Sequence, residues 1–334
     1  MCTGRLSEAE ATLVTFAGYV KDGLLPNLFP EGARSALYHT VDATLWYFHA
    51  IDRYCEWAGH RQLPAQLMPV LESICDHYVR GTRYGIGVDA TDGLVRAGEQ
   101  GYQLTWMDAK AGNWVVTPRR GKPVEIQALW YNALKLMALW RAELGLDARD
   151  YAQRAELARA SFESRFWSPA LRRLLDVVDG EAGDDDSGRP NQIFAMSLRH
   201  PVLDPAHWQD VLQWVRATLL TPYGLRTLDP AHPDYKRNYH GDLLTRDGAY
   251  HQGTVWPWLI GHYIDAALRV DPRGNRDGED PLAAFIDHLK EFGVGSIAEI
   301  FDAETPYAPR GCIAQAWSVA EVLRARLRWL ARPR

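Results

Sequence analysis

An acid set among indoles can protonate a glycosidic oxygen, and the segment Leu104 to Leu134 places Asp108 between Trp106, Trp114 and Trp130. Aromatic rings cover the apolar C–H faces of a pyranose, polar neighbours bind its hydroxyls, and a carboxyl group supplies the proton. A loop acid just ahead of a glycine such as Gly112 is ordinarily a turn or capping residue. The flanking tryptophans point further, because they would desolvate the carboxyl group as a general acid requires.

A second carboxyl, Glu299, lies in Ser296-Ile297-Ala298-Glu299-Ile300-Phe301-Asp302. Pro309-Arg310-Gly311-Cys312 then connects sharply into a helix expected from Ile313, so Glu299 falls at a loop end near a helix start. Spacing alone explains it equally well as a salt-bridged structural acid. A third segment, His251-Gln252-Gly253-Thr254-Val255-Trp256-Pro257-Trp258, offers hydrogen-bonding groups and two indoles around a proline suited to a helix's first turn. It would wall a sugar pocket. His251 taken alone is more often structural, and no HExxH or similar ligand pattern surrounds it, so neither a metal nor an organic cofactor is expected. GxSxG, GxxxxGK[ST] and strand-borne GxGxxG signatures are missing, which speaks against nucleotide chemistry.

The chain carries 13 tryptophans in 334 residues, more than a core of this size needs, so some should face a ligand. A net charge of -5 supplies no basic field for nucleic acid or an anionic membrane, and a neutral substrate fits better. The run Arg119, Arg120, Lys122 and the acidic stretch Asp179 to Arg189 both read as solvated loops, the second rather than a calcium site. Cys2, Cys55, Cys75 and Cys312 form no CxxC pair, and the first residues contain no apolar signal core. A cytoplasmic setting follows as the expectation.

These residues must be positioned by helices. Apolar intervals of three and four predict helices over Ser7–Val20, Tyr38–Trp57, Pro64–Arg80, Ile126–Trp140 and Tyr151–Phe166. Others are expected over Asn191–Leu198, Pro205–Leu219, Gly253–Val270, Pro281–Phe292 and Ile313–Leu330, with a long loop from Leu220 to Asp247. Ser7 followed by Glu10 suggests a capping box on the first. Paired helices with few strands argue for an all-α fold of hairpins packed side by side, and closure into a ring would bury helices while leaving functional loops between them.

The chain resembles the C-terminal, amylo-α-1,6-glucosidase domain of glycogen debranching enzymes. The resemblance rests on TVDATLWYFHAI (Thr40 to Ile51), TWMDAKAGNW (Thr105 to Trp114), VEIQALWYNAL (Val124 to Leu134), RDGAYHQGTVWPWLIG (Arg246 to Gly261), SIAEIFD (Ser296 to Asp302) and PRGCIAQAWSVAEVL (Pro309 to Leu323). It implies a glucoamylase-like (α/α)6 toroid and inverting hydrolysis of the α-1,6-linked glucose left at a trimmed branch point of glycogen or limit dextrin. Asp108 would be the general acid and Glu299 the general base. Asp42, Trp46, Trp106, Lys110, Trp114, Glu125, Trp130, His251, Gln252, Trp256 and Trp258 would shape the sugar subsites.

Members of that family carry, ahead of the position matched by Thr3-Gly4-Arg5, a β-rich domain and a helix-leading segment with an Arg-Asp pair. The resemblance therefore implies a single domain over residues 1–334 that is incomplete at its N-terminus, its first hairpin lacking the leading helix. A missing N-terminal domain or a partner chain would fill the gap. Two rivals stay open: a glycan-binding module that has lost turnover, and a related toroidal glycosidase acting on a small α-glucoside such as trehalose.

Overall fold

Apolar side chains at helical intervals build eleven α-helices among the described residues, which in this computed structural model are 1–32, 35–274 and 280–332. They are α1 (Leu6–Ala17), α2 (Asp42–Ala58), α3 (Gln62–Arg80), α4 (Val124–Glu143), α5 (Arg149–Phe166), α6 (Phe194–Ser197), α7 (Trp208–Thr218), α8 (Leu243–Ala249), α9 (Leu259–Val270), α10 (Ala283–Glu291) and α11 (Ala316–Leu330). Helices α2, α4, α6, α9 and α11 pack side by side in that order, with α1, α3, α5 and α7 outside them. The fold is all-α and toroidal, as expected. No described helix is long and apolar enough to cross a membrane.

The inner helices are apolar on more than one face because they have neighbours on more than one side. Phe48 of α2 stacks on Trp140 of α4, and Tyr78 of α3 stacks on Trp130, with ring centroids 6.5 and 5.7 Å apart. Burial of each such ring contributes about 1.5–3 kcal/mol. Helix α2 ends at Gly59, whose left-handed φ of 73° lets its N–H reach the carbonyl of Cys55.

The strands are short, yet five of them form one antiparallel sheet: Leu220–Thr221, Gly224–Arg226, Val255–Trp256, Ile300–Phe301 and Pro309–Arg310. Val255 lies opposite Phe301. That register brings Trp256 and Glu299, distant in sequence, to one edge of the ring.

Several expected elements are corrected. Ser7 does not cap α1; it lies inside the first turn, where its hydroxyl donates to Glu8. Residues 38–41 are not helical, because Val41 N–H is held by the carbonyl of Leu104 and the Thr40 hydroxyl accepts from Ala43 at the start of α2. The segment 191–198 divides into a 3₁₀ turn, Pro190–Ile193, and the short α6. Residues 253–258 form a strand and turn rather than the start of α9. Pro257 explains this: its ring would clash with the preceding turn of a helix, and it drives Trp256 toward extended backbone. The acidic loop is partly a hairpin, with Val177–Gly180 paired to Gly183–Asp185.

The basic run needs the largest correction, since Arg119 and Lys122 are buried rather than solvated. Lys122 bonds to Asp89, Asp92 and Asp179 at 3.0, 2.6 and 2.8 Å, which also pairs one acid of the expected loop. Arg119 is held between Glu125 and Asp176.

Candidate active site

A cavity of about 610 Å³ opens between α2 and α11 at the loop end of the ring. Its walls include Asp42 and Trp46 from α2, Trp106 and Asp108 from the loop before α4, Trp256 from the central strand of the sheet, Trp258 at the start of α9, and Glu299. The two proposed catalytic carboxyls therefore face one space. Indoles surround it: Trp106 meets Trp256 and Trp258 edge-on at 5.6 and 5.1 Å, and Trp46 meets Trp258 at 6.3 Å.

Glu299 is held firmly. Tyr250 donates its hydroxyl proton to Oε1, Gln315 donates to the same oxygen at 3.2 Å, and the backbone N–H of Cys312 donates to Oε2 at 2.9 Å. Gly311 allows the close approach, because a Cβ there would lie 2.3 Å from Oε2. Burial, the bond to Glu299 and the nearby carboxylates of Glu299 and Asp108 all raise the Tyr250 phenol above its usual value, so it stays a donor.

Asp108 is held loosely. Its side chain is 56% exposed, so the tryptophans do not enclose it as the sequence suggested, and the His251 ring approaches it with Nε2 at 3.5 Å. The expected desolvation is corrected accordingly: the carboxyl faces an open cavity that a sugar would have to fill.

Other expected subsite residues lie away from the cavity wall. Glu125, 1% exposed, is bonded to Arg119 at 2.7 Å, and Arg119 reaches Asp176 at 2.6 and 2.9 Å. Asn191 continues the chain, donating to Asp176 at 2.9 Å and accepting from the Trp106 indole N–H at 2.8 Å. Glu125 thus fixes Trp106 from behind. Trp130 is buried against Tyr78 and donates to the Gly93 carbonyl, Lys110 donates to the Gly101 carbonyl, and Trp114 is half exposed against Gly248. His251 and Gln252 sit behind the indoles, with Gln252 accepting from Arg189 at 2.7 Å.

Tyr250, Gln315, Trp317, His49 and His262 also stand on the cavity wall, although no sequence pattern singles them out. Tyr250 and Gln315 stand inside the motifs already quoted. Nothing local marks them, because their partner Glu299 is 49 and 16 residues away.

Asp42 offers a pH test. It is 7% exposed, and Thr40 donates to it at 2.5 Å. Burial pushes its carboxyl up to about 6, against the bond from Thr40 and with help from Glu125 and Asp108. The folded chain therefore keeps a proton that the unfolded chain has released, so this group costs stability as pH rises from about 4 to about 6. Asp42→Asn should remove that slope, raising stability at pH 7 by up to about 3 kcal/mol with little change near pH 3.5. Urea unfolding at the two pH values checks it; equal changes at both would contradict the assignment.

No group of three or more His, Cys, Asp or Glu side chains among the described residues is arranged to hold a metal ion. The arrangement instead offers two carboxyls across an aromatic cavity. Comparison with known proteins bears on the family. The chain is 26% identical to the glycogen debranching enzyme of Saccharomyces cerevisiae over 379 aligned positions, covering 86% of this chain and 25% of that protein. It thus spans about a quarter of that relative's length. Among solved structures it resembles an uncharacterised conserved protein from Thermus thermophilus, with a TM-score of 0.65, 14% identity and coverage of 98% and 89% of the two chains. A GH63 mannosylglycerate hydrolase from the same organism, in complex with Tris and D-glycerate, gives 0.65 at 13% identity, covering 96% and 88%. A rhamnosidase from Klebsiella oxytoca with rhamnose bound gives 0.59 at 18%, covering 97% and 54%. The model of the amylo-alpha-1,6-glucosidase family matches residues 1–324, and the chain belongs to that family of glycoside hydrolases.

Proposed function

We propose that this chain hydrolyses the α-1,6-linked glucose at a trimmed branch point of an α-glucan, glycogen or limit dextrin, with inversion at the anomeric carbon. The observation that carries the reading is that Asp108 and Glu299, from distant segments, face one tryptophan-walled cavity. Asp108 protonates the departing 6-oxygen. Glu299 takes a proton from a water that attacks C1 from the opposite face, so the C1–O6 bond breaks as the C1–water bond forms. Trp106, Trp256 and Trp46 present apolar faces to the ring, and no cofactor is needed. Glu299 is suited to the base's role because three donors fix the direction of its lone pairs.

Proton NMR of the purified chain with a phosphorylase-trimmed limit dextrin tests the reading. β-Glucose is expected as the first anomer, with α-glucose appearing only by later mutarotation. Initial α-glucose would exclude inversion. Binding of dextrin without glucose release would favour a glycan-binding module, and release of glucose from trehalose alone would favour the small-glucoside rival.

A further inference from the structure

Tyr250 and His251 are consecutive residues at the end of α8, and their side chains diverge toward different carboxyl groups. The Tyr250 hydroxyl bonds Glu299, while the His251 ring turns its Nε2 toward Asp108 at 3.5 Å. The backbone between them is pinned: the Tyr250 carbonyl accepts from the Trp256 indole at 3.0 Å, and the His251 carbonyl accepts from Arg189 at 2.8 Å. The imidazole is wedged, stacked on Trp256 at 5.1 Å and edge-on to Trp106 at 5.2 Å. Neither the ring nor the backbone can wander.

His251 is also anomalous. Its side chain is fully buried, yet neither ring nitrogen has a hydrogen-bond partner among the described residues. A buried polar group without a partner calls for an explanation. Among the described residues the carboxyl close to Nε2 is that of Asp108, which is exposed enough to rotate, and catalytic hydrogen bonds are often long until substrate binds. Burial lowers the pKa of His251, against the opposing pull of Asp108, so the ring is neutral. Neutrality matters chemically: a cation would hold Asp108 ionised, whereas a neutral N–H can orient the acid and leave its proton available.

We propose that Tyr250 and His251 form one positioning unit for both catalytic carboxyls, Tyr250 orienting Glu299 and His251 receiving Asp108 when a sugar fills the cavity. This rests on the inverting hydrolysis set out above. Neither residue transfers a proton. A single rigid dipeptide then sets how acid and base face each other across the sugar.

Two substrates separate the halves of the unit. Limit dextrin needs the acid, because its departing sugar oxygen must be protonated; α-glucosyl fluoride does not, because fluoride leaves unaided. Both need the base to activate water. Gln and Asn replace the buried ring with amides of different reach, Gln near Nε2 and Asn near Nδ1. His251→Asn should lower kcat on dextrin about 100-fold with KM changed less than about 3-fold, and lower kcat on the fluoride by less than about 5-fold. His251→Gln should recover most of the dextrin activity. Tyr250→Phe should lower kcat on both substrates by a similar factor of about 10 to 100. Equal losses on both substrates for His251→Asn, or no difference between Asn and Gln, would overturn the His251 half; a selective dextrin loss for Tyr250→Phe would overturn the other. A wild-type chain that turns over neither substrate would instead remove the hydrolase reading itself.

Discussion

Asp108→Asn and Glu299→Gln should each lower kcat on limit dextrin by about 10²- to 10⁴-fold, the range expected when an essential proton transfer is removed. Asparagine has no acidic proton for the departing 6-oxygen, and glutamine has no basic oxygen charge to draw a proton from water. KM should move far less than kcat, because neither change removes the aromatic walls that bind the sugar. The two variants should differ in stability. Asp108 is more than half exposed, with the His251 ring no closer than 3.5 Å, so its replacement should barely move the unfolding midpoint. Glu299 accepts from Tyr250, Gln315 and the Cys312 N–H, and an amide must turn an NH₂ toward one of those donors. That mismatch should cost about 1–3 kcal/mol. Near-native turnover in either variant would remove that residue from its proposed role.

The difference between the two acids also shows what sequence can and cannot convey. Asp108 and Glu299 stand out as an acid among tryptophans and an acid at a loop end, but those patterns alone fit structural acids as well, and their proposed roles rest on the family resemblance. Helices α2, α4 and α9 are legible because their apolar intervals persist for several turns. Boundaries fail where a single contact decides them, as at Thr40 and Val41, whose partners fix the start of α2. The strand at Val255–Trp256 was hidden by an apolar run that suits either element, although Pro257 within it disfavours a helix. Burial of charge is the least legible property. Glu125 looks like a subsite acid in VEIQALWYNAL, and Arg119 looks like a solvated cation, until the fold places them against one another. Spacing names the residues of a site, but only packing distinguishes a wall from what stands behind it.

That buried pair carries the largest expected effect on stability. Arg119 is 3% exposed, and its partners Glu125 and Asp176 are 1% and 2% exposed. Burial works against its charge, but Asp176 and Glu125 more than offset this and hold the guanidinium above its usual value. Arg119→Met would leave two carboxylates buried with their main cation gone, a cost of about 3–5 kcal/mol. Arg119→Lys should recover little, since one ammonium cannot make the forked contacts that now reach both acids. Adding Glu125→Gln to Arg119→Met should return part of the loss, because it removes one uncompensated charge while Asn191 still serves Asp176. The same network reaches the site: Asp176 holds Asn191, and Asn191 holds the Trp106 indole that walls the cavity. A variant that folds should therefore bind dextrin more weakly as well as unfold earlier. Urea unfolding of the single and double variants measures the coupling, and a loss below about 1 kcal/mol for Arg119→Met would mean that the two acids do not depend on Arg119 for their burial.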